Sequence, residues 1–475
     1  MPRPLFDIYF IAIGGTGMAP LACLLKEQGH RVRGVDGPLY PPMSDLLAAN
    51  GIEPLVGYEP GHLLATRPDE RPDLVIVGNA VPRDNTEVIA AEQLVLPRLS
   101  MPQALARFFF EGRRPLVVAG THGKTTTTAM AAWVWRRCGA DPGYLIGGWP
   151  HDLERSFRIG SGERFIVEGD EYNASYFDRG PKFLHYQPET LVLTSVEYDH
   201  ADLYPDPEKL REAYRRLVRL LPKSGLLVAC GDEAGVREVA AEARCRVLFY
   251  GLDEANDVHP RQLEATADGS RFLLDDRLAG EVEVALRLPG EHNVANALAV
   301  WAAARRDRLE AAAVAAALAS FRGVKRRLEE IGTVAGVTVI DDFAHHPTAV
   351  AKSLGALRQQ YPGRRLAALF EPRSLTAGRA FFFDDYARAF LAADAVYFAP
   401  IYHRDRLGPK ERLDLERLVA TLAAAGVAGT ICGSVDEVLA RALAAAAPGD
   451  VLVAMSSGAF DGLPRRLLRG LEAAA

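Results

Sequence analysis

Val117-Val118-Ala119-Gly120-Thr121-His122-Gly123-Lys124-Thr125-Thr126 sets a glycine-rich turn and one lysine between an apolar run and a helix-forming stretch. That is the layout of a phosphate cradle. Gly120 and Gly123 let backbone N–H groups approach phosphate oxygens, Lys124 neutralises charge on β- and γ-phosphates, and the Thr125 hydroxyl is placed to ligate Mg2+. The partial positive charge at the helix N-terminus adds to the attraction. In the general pattern G-x-x-x-x-G-K-[ST] the first glycine falls on Val118, so the strict motif is missed by one residue. An ordinary strand–turn–helix connection is the competing reading of this stretch alone.

A chain of 475 residues exceeds what one core serves, since single cores stop growing beyond about 250–300 residues, so several domains are expected. With 49% hydrophobic and 24% charged residues it reads as an ordinary globular protein, with no span of membrane-crossing length. The apolar start Ile8-Tyr9-Phe10-Ile11-Ala12-Ile13 lacks a cationic leader and runs into glycines, which suits a buried first strand and a cytoplasmic protein. Cys23, Cys138, Cys230, Cys245 and Cys432 lie far apart with no C-x-x-C pair, as reduced thiols do. A net charge of −6 argues against broad affinity for nucleic acid.

Short β-rich runs alternate with helical patterns: Leu74-Val75-Ile76-Val77, Leu116-Val117-Val118, Phe165-Ile166-Val167, Leu191-Val192-Leu193 and Val337-Thr338-Val339-Ile340. Such alternation predicts parallel α/β sheets. The Ala-rich stretch Asn296 to Leu318 predicts a pair of packing helices. Joints rich in Gly, Pro and Arg at Glu111-Gly112-Arg113-Arg114-Pro115 and Phe321-Arg322-Gly323 divide the chain into units 1–111, 112–322 and 323–475.

The first unit opens with Gly14-Gly15-Thr16-Gly17-Met18 after a strand, and Asp36 ends the next apolar run. The last glycine of G-x-G-x-x-G is replaced by Pro20, so the turn suits a diphosphate generally better than NAD. Asp36 either accepts from a ribose or uracil or is a plain turn residue. In the second unit Glu168-Gly169-Asp170-Glu171 and Glu197-Tyr198-Asp199-His200 each follow an apolar run. At strand ends they face the crevice where such sheets bind ligands, which brings Glu168 and His200 toward metal ions near Thr125; solvated loops are the alternative. Asn293 and Asn296, three apart on one helical face, suit an adenine edge, with Asn293 as a helix N-cap the plainer reading. The third unit carries Arg327 and then Asp341-Asp342-Phe343-Ala344-His345-His346. Zinc is disfavoured there: adjacent strand side chains point oppositely, and no third soft ligand is suitably spaced.

Taken in order, Gly120-Thr121-His122-Gly123-Lys124-Thr125, Glu168, His200, His292-Asn293-x-x-Asn296, Arg327 and Asp342 resemble the Mur ligase family over nearly the whole chain. The resemblance implies a Rossmann-like N-terminal domain that binds a UDP-sugar, a central P-loop ATPase-like domain, and a C-terminal Rossmann-like domain completing the ATP and peptide sites. It implies an ATP- and Mg2+-dependent amide ligase acting on UDP-N-acetylmuramate through an acyl phosphate. Val35 to Ser44, Gly78 to Arg83, Phe177 to Phe183, Glu371-Pro372-Arg373-Ser374 and Met455-Ser456-Ser457-Gly458 are similar to the branch that adds a preformed murein peptide, L-Ala-γ-D-Glu-meso-diaminopimelate, rather than free L-alanine.

On the same resemblance, Gly120, Thr121, His122, Gly123, Lys124, Thr125 and Thr126 cradle the phosphates and Thr125, Glu168 and His200 hold metal. Asn293 and Asn296 locate adenine, Asp342 the ribose, and Arg327 reaches a phosphate from the third unit. Gly15, Thr16, Gly17, Met18, Asp36, Asn79 and Arg83 face the nucleotide sugar, and His345 and Arg373 the peptide, with Arg379 a further candidate; unliganded surface arginines are the plain alternative. Ser195 stands where many relatives carry Asn, and Arg215 lies near the place where some carry a carbamoylated lysine, so no carbamate is expected. The ligand set of the second metal is left open. An NAD-dependent oxidoreductase would leave Lys124, Glu168 and His200 idle, and a bare nucleotide-binding module would need no carboxylate acceptor.

Overall fold

A computed structural model describes residues 4–474 apart from 66, 202 and 267. Its strands form three sheets, one to each third of the chain, giving a three-domain α/β protein. In the N-terminal sheet the order is Leu55–Val56, Arg31–Asp36, Asp7–Ile11, Leu74–Val77, Arg98–Ser100, all parallel. The order reverses direction between Asp7–Ile11 and its neighbour Leu74–Val77, the switch point where open α/β sheets leave a crevice beyond the carboxyl ends of the strands. Pro20 is harmless in the helix Met18–Glu27, because N–H groups in a first turn have no intrahelical acceptor.

The central sheet has ten strands. Its middle is parallel, running Arg246–Tyr250, Leu226–Cys230, Thr190–Leu193, Arg114–Ala119, Arg164–Gly169, Gly143–Leu145. The edges depart from the all-parallel expectation. Val258–Thr266, Gly269–Asp276 and Gly280–Leu286 form an antiparallel meander, and Phe157–Arg158 pairs antiparallel with Gly143–Leu145. Gly269 (φ 138°) and Gly280 (φ 86°), the first residues of the second and third of these strands, take positive φ that favours glycine beside short connections between antiparallel neighbours. The Ala-rich segment is a helical pair, Glu291–Arg306 and Ala311–Ser320, whose small side chains let both helices pack against Lys124–Arg137.

The C-terminal sheet runs Glu329–Val334, Val337–Asp342, Val451–Met455, Leu366–Phe370, Ala395–Phe398, Ala428–Ile431, antiparallel in its first pair and parallel elsewhere. Both faces are covered. Along Val451–Met455, Val451, Val453 and Met455 enter one core and Leu452 and Ala454 the other, the alternation a doubly covered strand requires. The five cysteines are free, and among the described residues no helix is long and apolar enough to cross a membrane.

Candidate active site

The glycine-rich turn leaves the carboxyl end of Arg114–Ala119 and enters Lys124–Arg137 through Gly123, which is left-handed at φ 79°. Gly120, at φ 137°, presses on the next strand's loop: a β-carbon there would lie 2.1 Å from Thr194 Oγ1 and 2.8 Å from the Ser195 nitrogen. Only glycine fits. The loop is held from outside by Ser195, whose hydroxyl accepts from the His122 N–H at 2.9 Å and whose carbonyl accepts from the Thr121 N–H at 3.1 Å.

At the first turn of this helix the Thr125 hydroxyl donates to Glu168 at 3.0 Å, and Glu168 also accepts from the Gly147 N–H. Burial pushes the Glu168 carboxyl up in pKa despite these donors and the nearby Lys124 and Arg327. A hydroxyl and a carboxylate 3.0 Å apart at a helix N-terminus are hard oxygen donors, so this pair fits Mg2+. Lys124 Nζ donates to the Gly120 carbonyl at 2.6 Å and to both oxygens of Glu171, at 3.0 and 2.8 Å. Burial opposes its charge, but Glu171 and Asp170 outweigh burial and hold the ammonium above its ordinary pKa. His200 Nε2 lies 3.0 Å from Glu171; burial works against the imidazolium, while Glu171 and Asp199 raise it.

From the C-terminal domain Arg327 reaches across, Nη2 standing 3.4 Å from Thr125 Oγ1 and the guanidinium stacking 4.7 Å over Phe343. Three non-glycine residues here take left-handed backbone: His200 at φ 56°, and Arg326 and Leu328 at φ 60° and 51° on either side of Arg327. Such strain is held only where surrounding structure over-determines it. Asp342 is buried, accepts from the Leu328 N–H at 3.4 Å, and keeps Oδ2 out of hydrogen-bond geometry. Burial pushes its carboxyl up as well.

Asn293 and Asn296 are both buried beneath the cradle. Asn296 accepts from Thr127 at 3.0 Å and donates to Asn293 at 3.2 Å, while Asn293 donates to the Pro289 carbonyl at 2.8 Å. Asn293 is inside the helix, whose N-cap is Gly290, so the capping alternative fails.

The N-terminal crevice is a cavity of about 540 Å³ lined by Gly14, Gly15, Asp36, Tyr40, Tyr58 and Asn85 among others. Asp36 accepts from Gly14 N at 2.6 Å, Gly37 N at 2.7 Å and the Tyr58 hydroxyl at 3.1 Å, so it both shapes the turn and faces the cavity. Gly17 caps the helix, Thr16, Asn79 and Arg83 are exposed at the same strand ends, and the Met18 side chain is buried in the core. In the C-terminal domain Arg373 stacks 4.0 Å over Tyr402 and pairs with Glu371 at 3.5 Å. His345 Nδ1 is 3.0 Å from the Phe343 carbonyl, and burial lowers its pKa.

Three family profiles match in succession: Mur ligase family, catalytic domain, over residues 7–111; Mur ligase middle domain over 118–304; and Mur ligase, glutamate ligase domain, over 326–458. The UDP-N-acetylmuramate–L-alanyl-γ-D-glutamyl-meso-2,6-diaminoheptandioate ligase of Escherichia coli (strain K12) is 39% identical over 466 residues, 98% of each chain. The chain belongs to the Mur ligase family. As a Mur ligase it is an ATP-dependent, ADP-forming amide ligase. A UDP-N-acetylmuramate–L-alanine ligase from Aromatoleum aromaticum is 34% identical over 489 residues, again 98% of each chain. Among solved structures, a murein peptide ligase from Psychrobacter arcticus aligns at TM-score 0.72 with 32% identity over 98% of each chain. The UDP-N-acetylmuramate-alanine ligase of Thermotoga maritima aligns at 0.81 with 23% identity over 99% of this chain and 100% of its own, a likeness of fold.

Two features of this Mur ligase correct or extend the sequence reading. His345 and His346 lie beyond the strand Val337–Asp342, not on it, and His346 caps the helix Pro347–Gln360. The argument from opposed strand side chains therefore does not apply, and His346 does find partners in space: ligand atoms of His122, Glu197 and His346 lie within 4.8 Å of one another. Glu197 accepts from Thr348 at 2.7 Å and lies 3.0 Å from His122 Nε2, bridging the central and C-terminal domains. Burial would raise its pKa, yet His122 and Thr348 bring the carboxyl down to about 2. Arg215 is engaged with Glu208 and Glu238, at 2.5 Å from the former.

Proposed function

We propose that this Mur ligase joins the lactyl carboxylate of UDP-N-acetylmuramate to the amino end of L-Ala-γ-D-Glu-meso-diaminopimelate, a cytoplasmic step that recycles murein peptide. The observation that carries the reading is the full-length 39% identity to a ligase named for that peptide, together with the convergence of Lys124, Thr125, Glu168 and Arg327 on one helix N-terminus. The working units are 1–111 for the nucleotide sugar, 112–322 for ATP, and 323–475 for closure and peptide.

The acceptor carboxylate and the γ-phosphate are both anions, and one pair of unit charges about 4 Å apart repels by about 4 kcal/mol at an effective dielectric of 20. Mg2+ held by Thr125 and Glu168, and a second ion on His200, would neutralise that charge and polarise the phosphoryl group. Lys124 takes β- and γ-oxygens at the cradle formed by Gly120, Thr121, His122, Gly123 and Thr126. Arg327 grips the transferring group when the third unit docks. Attack by the carboxylate gives an acyl phosphate and ADP. The peptide amine then adds to the acyl carbon, and the tetrahedral intermediate expels phosphate. Asn293 and Asn296 would locate adenine with their remaining amide valences, and the Asp342 carboxylate a ribose hydroxyl. His345, with Nδ1 turned to a carbonyl, keeps Nε2 as an acceptor toward the peptide, and Arg373 offers its fork to a carboxylate. Gly15, Thr16, Gly17, the Met18 N–H, Asp36, Asn79 and Arg83 serve the nucleotide sugar.

The alternative, an alanine-adding ligase, draws on the 34% identical relatives of that name. One experiment separates them. The protein is incubated with ATP, Mg2+ and UDP-N-acetylmuramate, with tripeptide or free L-alanine in separate tubes, and the conjugate is identified by mass. A tripeptide conjugate is expected. A conjugate with alanine alone selects the alternative, and ATP turnover indifferent to both acceptors would remove the ligase reading.

A further inference from the structure

Glu171 is buried between Lys124 and His200, with Oε1 3.0 Å from His200 Nε2 and Oε2 2.8 Å from Lys124 Nζ. Its backbone is pinned by the Tyr204 hydroxyl, which donates to the Glu171 carbonyl at 2.7 Å. Tyr172 packs on the His200 ring at 4.3 Å, and the His200 backbone N–H donates to Asp199 at 2.7 Å.

Without nucleotide Glu171 is the counter-ion of Lys124, with the His200 ring on its other oxygen. A nucleotide changes the count. Lys124 must turn its protons to phosphate oxygens, and Glu171 is then a buried carboxylate facing a polyanion, a state that costs far more than an exposed one. A new cation has to take up its charge. Ligand atoms bound at right angles to one Mg2+, with bonds of about 2.1 Å, are separated by about 3 Å. Glu171 Oε1 and His200 Nε2 already stand 3.0 Å apart, the same spacing as Thr125 Oγ1 and Glu168 Oε2 in the first pair of donors.

We propose that Glu171, together with His200, forms a second divalent-cation site of this chain. The inference rests on the ligase reading above. Glu171 thus serves in turn as counter-ion to Lys124 and as metal ligand, and metal binding at this site is coupled to nucleotide binding.

The test counts ions rather than turnover. Mn2+ is titrated into the full-length protein with a non-hydrolysable ATP analogue and UDP-N-acetylmuramate, and free Mn2+ is followed by its electron paramagnetic resonance signal. Wild type is expected to bind two Mn2+ per chain, and Glu171→Gln and His200→Gln each one, with the analogue still bound. Glu171→Asp, which keeps the charge but shortens the reach, is expected to weaken the second ion at least tenfold; it serves if Glu171→Gln does not fold. Two ions of unchanged affinity in the Glu171 variants overturn the proposal. A wild type that binds both analogue and sugar with a single Mn2+ also overturns it while leaving the ligase reading intact; failure to bind either takes down both.

Discussion

Arg327 offers the sharpest test of closure, because it is supplied by a different domain from the cradle it meets. Its Nη2 is 3.4 Å from the Thr125 hydroxyl, so a phosphate gripped by that helical turn sits within one hydrogen bond of the guanidinium. At about 4 Å and an effective dielectric of 20, one such charge pair contributes about 4 kcal/mol. At 1.36 kcal/mol per factor of ten, the loss is about a thousandfold in rate. The neighbouring Arg326 is not a substitute, since it donates to the Ser456 carbonyl at 2.8 Å and pairs with Asp341 at 3.4 Å. Arg327→Met, which keeps the packing on Phe343, is therefore expected to lower kcat about 10³-fold. The affinity for UDP-N-acetylmuramate should be unchanged, because the cavity proposed to bind it lies in the N-terminal domain. Phosphate release under saturating substrates and calorimetric titration of the nucleotide sugar measure the two quantities separately. Turnover within tenfold of wild type would refute the assignment, and a parallel loss of sugar affinity would show that the variant had damaged more than closure.

Lys124→Ala should abolish positional isotope exchange in ATP incubated with UDP-N-acetylmuramate; surviving exchange would remove the lysine from phosphoryl transfer. Gly120→Ala should lower unfolding stability by about 2–5 kcal/mol, from backbone strain and overpacking together, given a β-carbon 2.1 Å from Thr194 Oγ1 at φ 137°; an unshifted urea midpoint would contradict this. Glu197, brought from an ordinary 4.5 to about 2 in the folded state, contributes stability that is complete above pH 4.5 and lost as pH falls toward 2, up to about 3 kcal/mol. The urea midpoints of wild type and Glu197→Gln should therefore differ at pH 6 and converge near pH 2, and a constant difference across that range would deny the carboxylate this role.

What could be read from sequence was local. The strand Leu74–Val77 coincides with its apolar run, and Gly120 and Gly123 adopt the positive φ that their place between strand and helix demands. The domain architecture follows from the same alternation of apolar runs. What could not be read depends on contacts between distant residues. Glu171 lies beside Glu168 in sequence and attracted no role, because nothing in the chain announces that its side chain meets Lys124, 47 positions earlier. The Glu197–Thr348 bond spans 151 positions and two domains. The antiparallel meander was missed for another reason: its strands carry exposed polar residues such as Arg261, Gln262 and Glu264, so no continuous apolar run marks them. Asp36 fell between, since a carboxylate that shapes a glycine turn and one that faces a ligand look alike until Gly14, Gly37 and Tyr58 are seen around it.

The domain-bridging contacts bear on the order of events. His122 belongs to the glycine-rich loop, and its ring lies 4.6 Å from that of His346 in the C-terminal domain, with Glu197 accepting from Thr348 beside them. Lys124 is two residues further along the same loop. Any separation of the C-terminal domain therefore withdraws two supports at once, the Arg327 guanidinium and the packing that steadies the loop through His122 and Glu197. A cradle loosened in this way holds phosphate less well, and phosphate in the cradle in turn favours docking by giving Arg327 an anion to meet. By linkage the two effects are equal in free energy. On this reading nucleotide binding and domain closure are linked, and variants at Glu197 and Thr348 should weaken ATP binding without touching any group assigned to ATP.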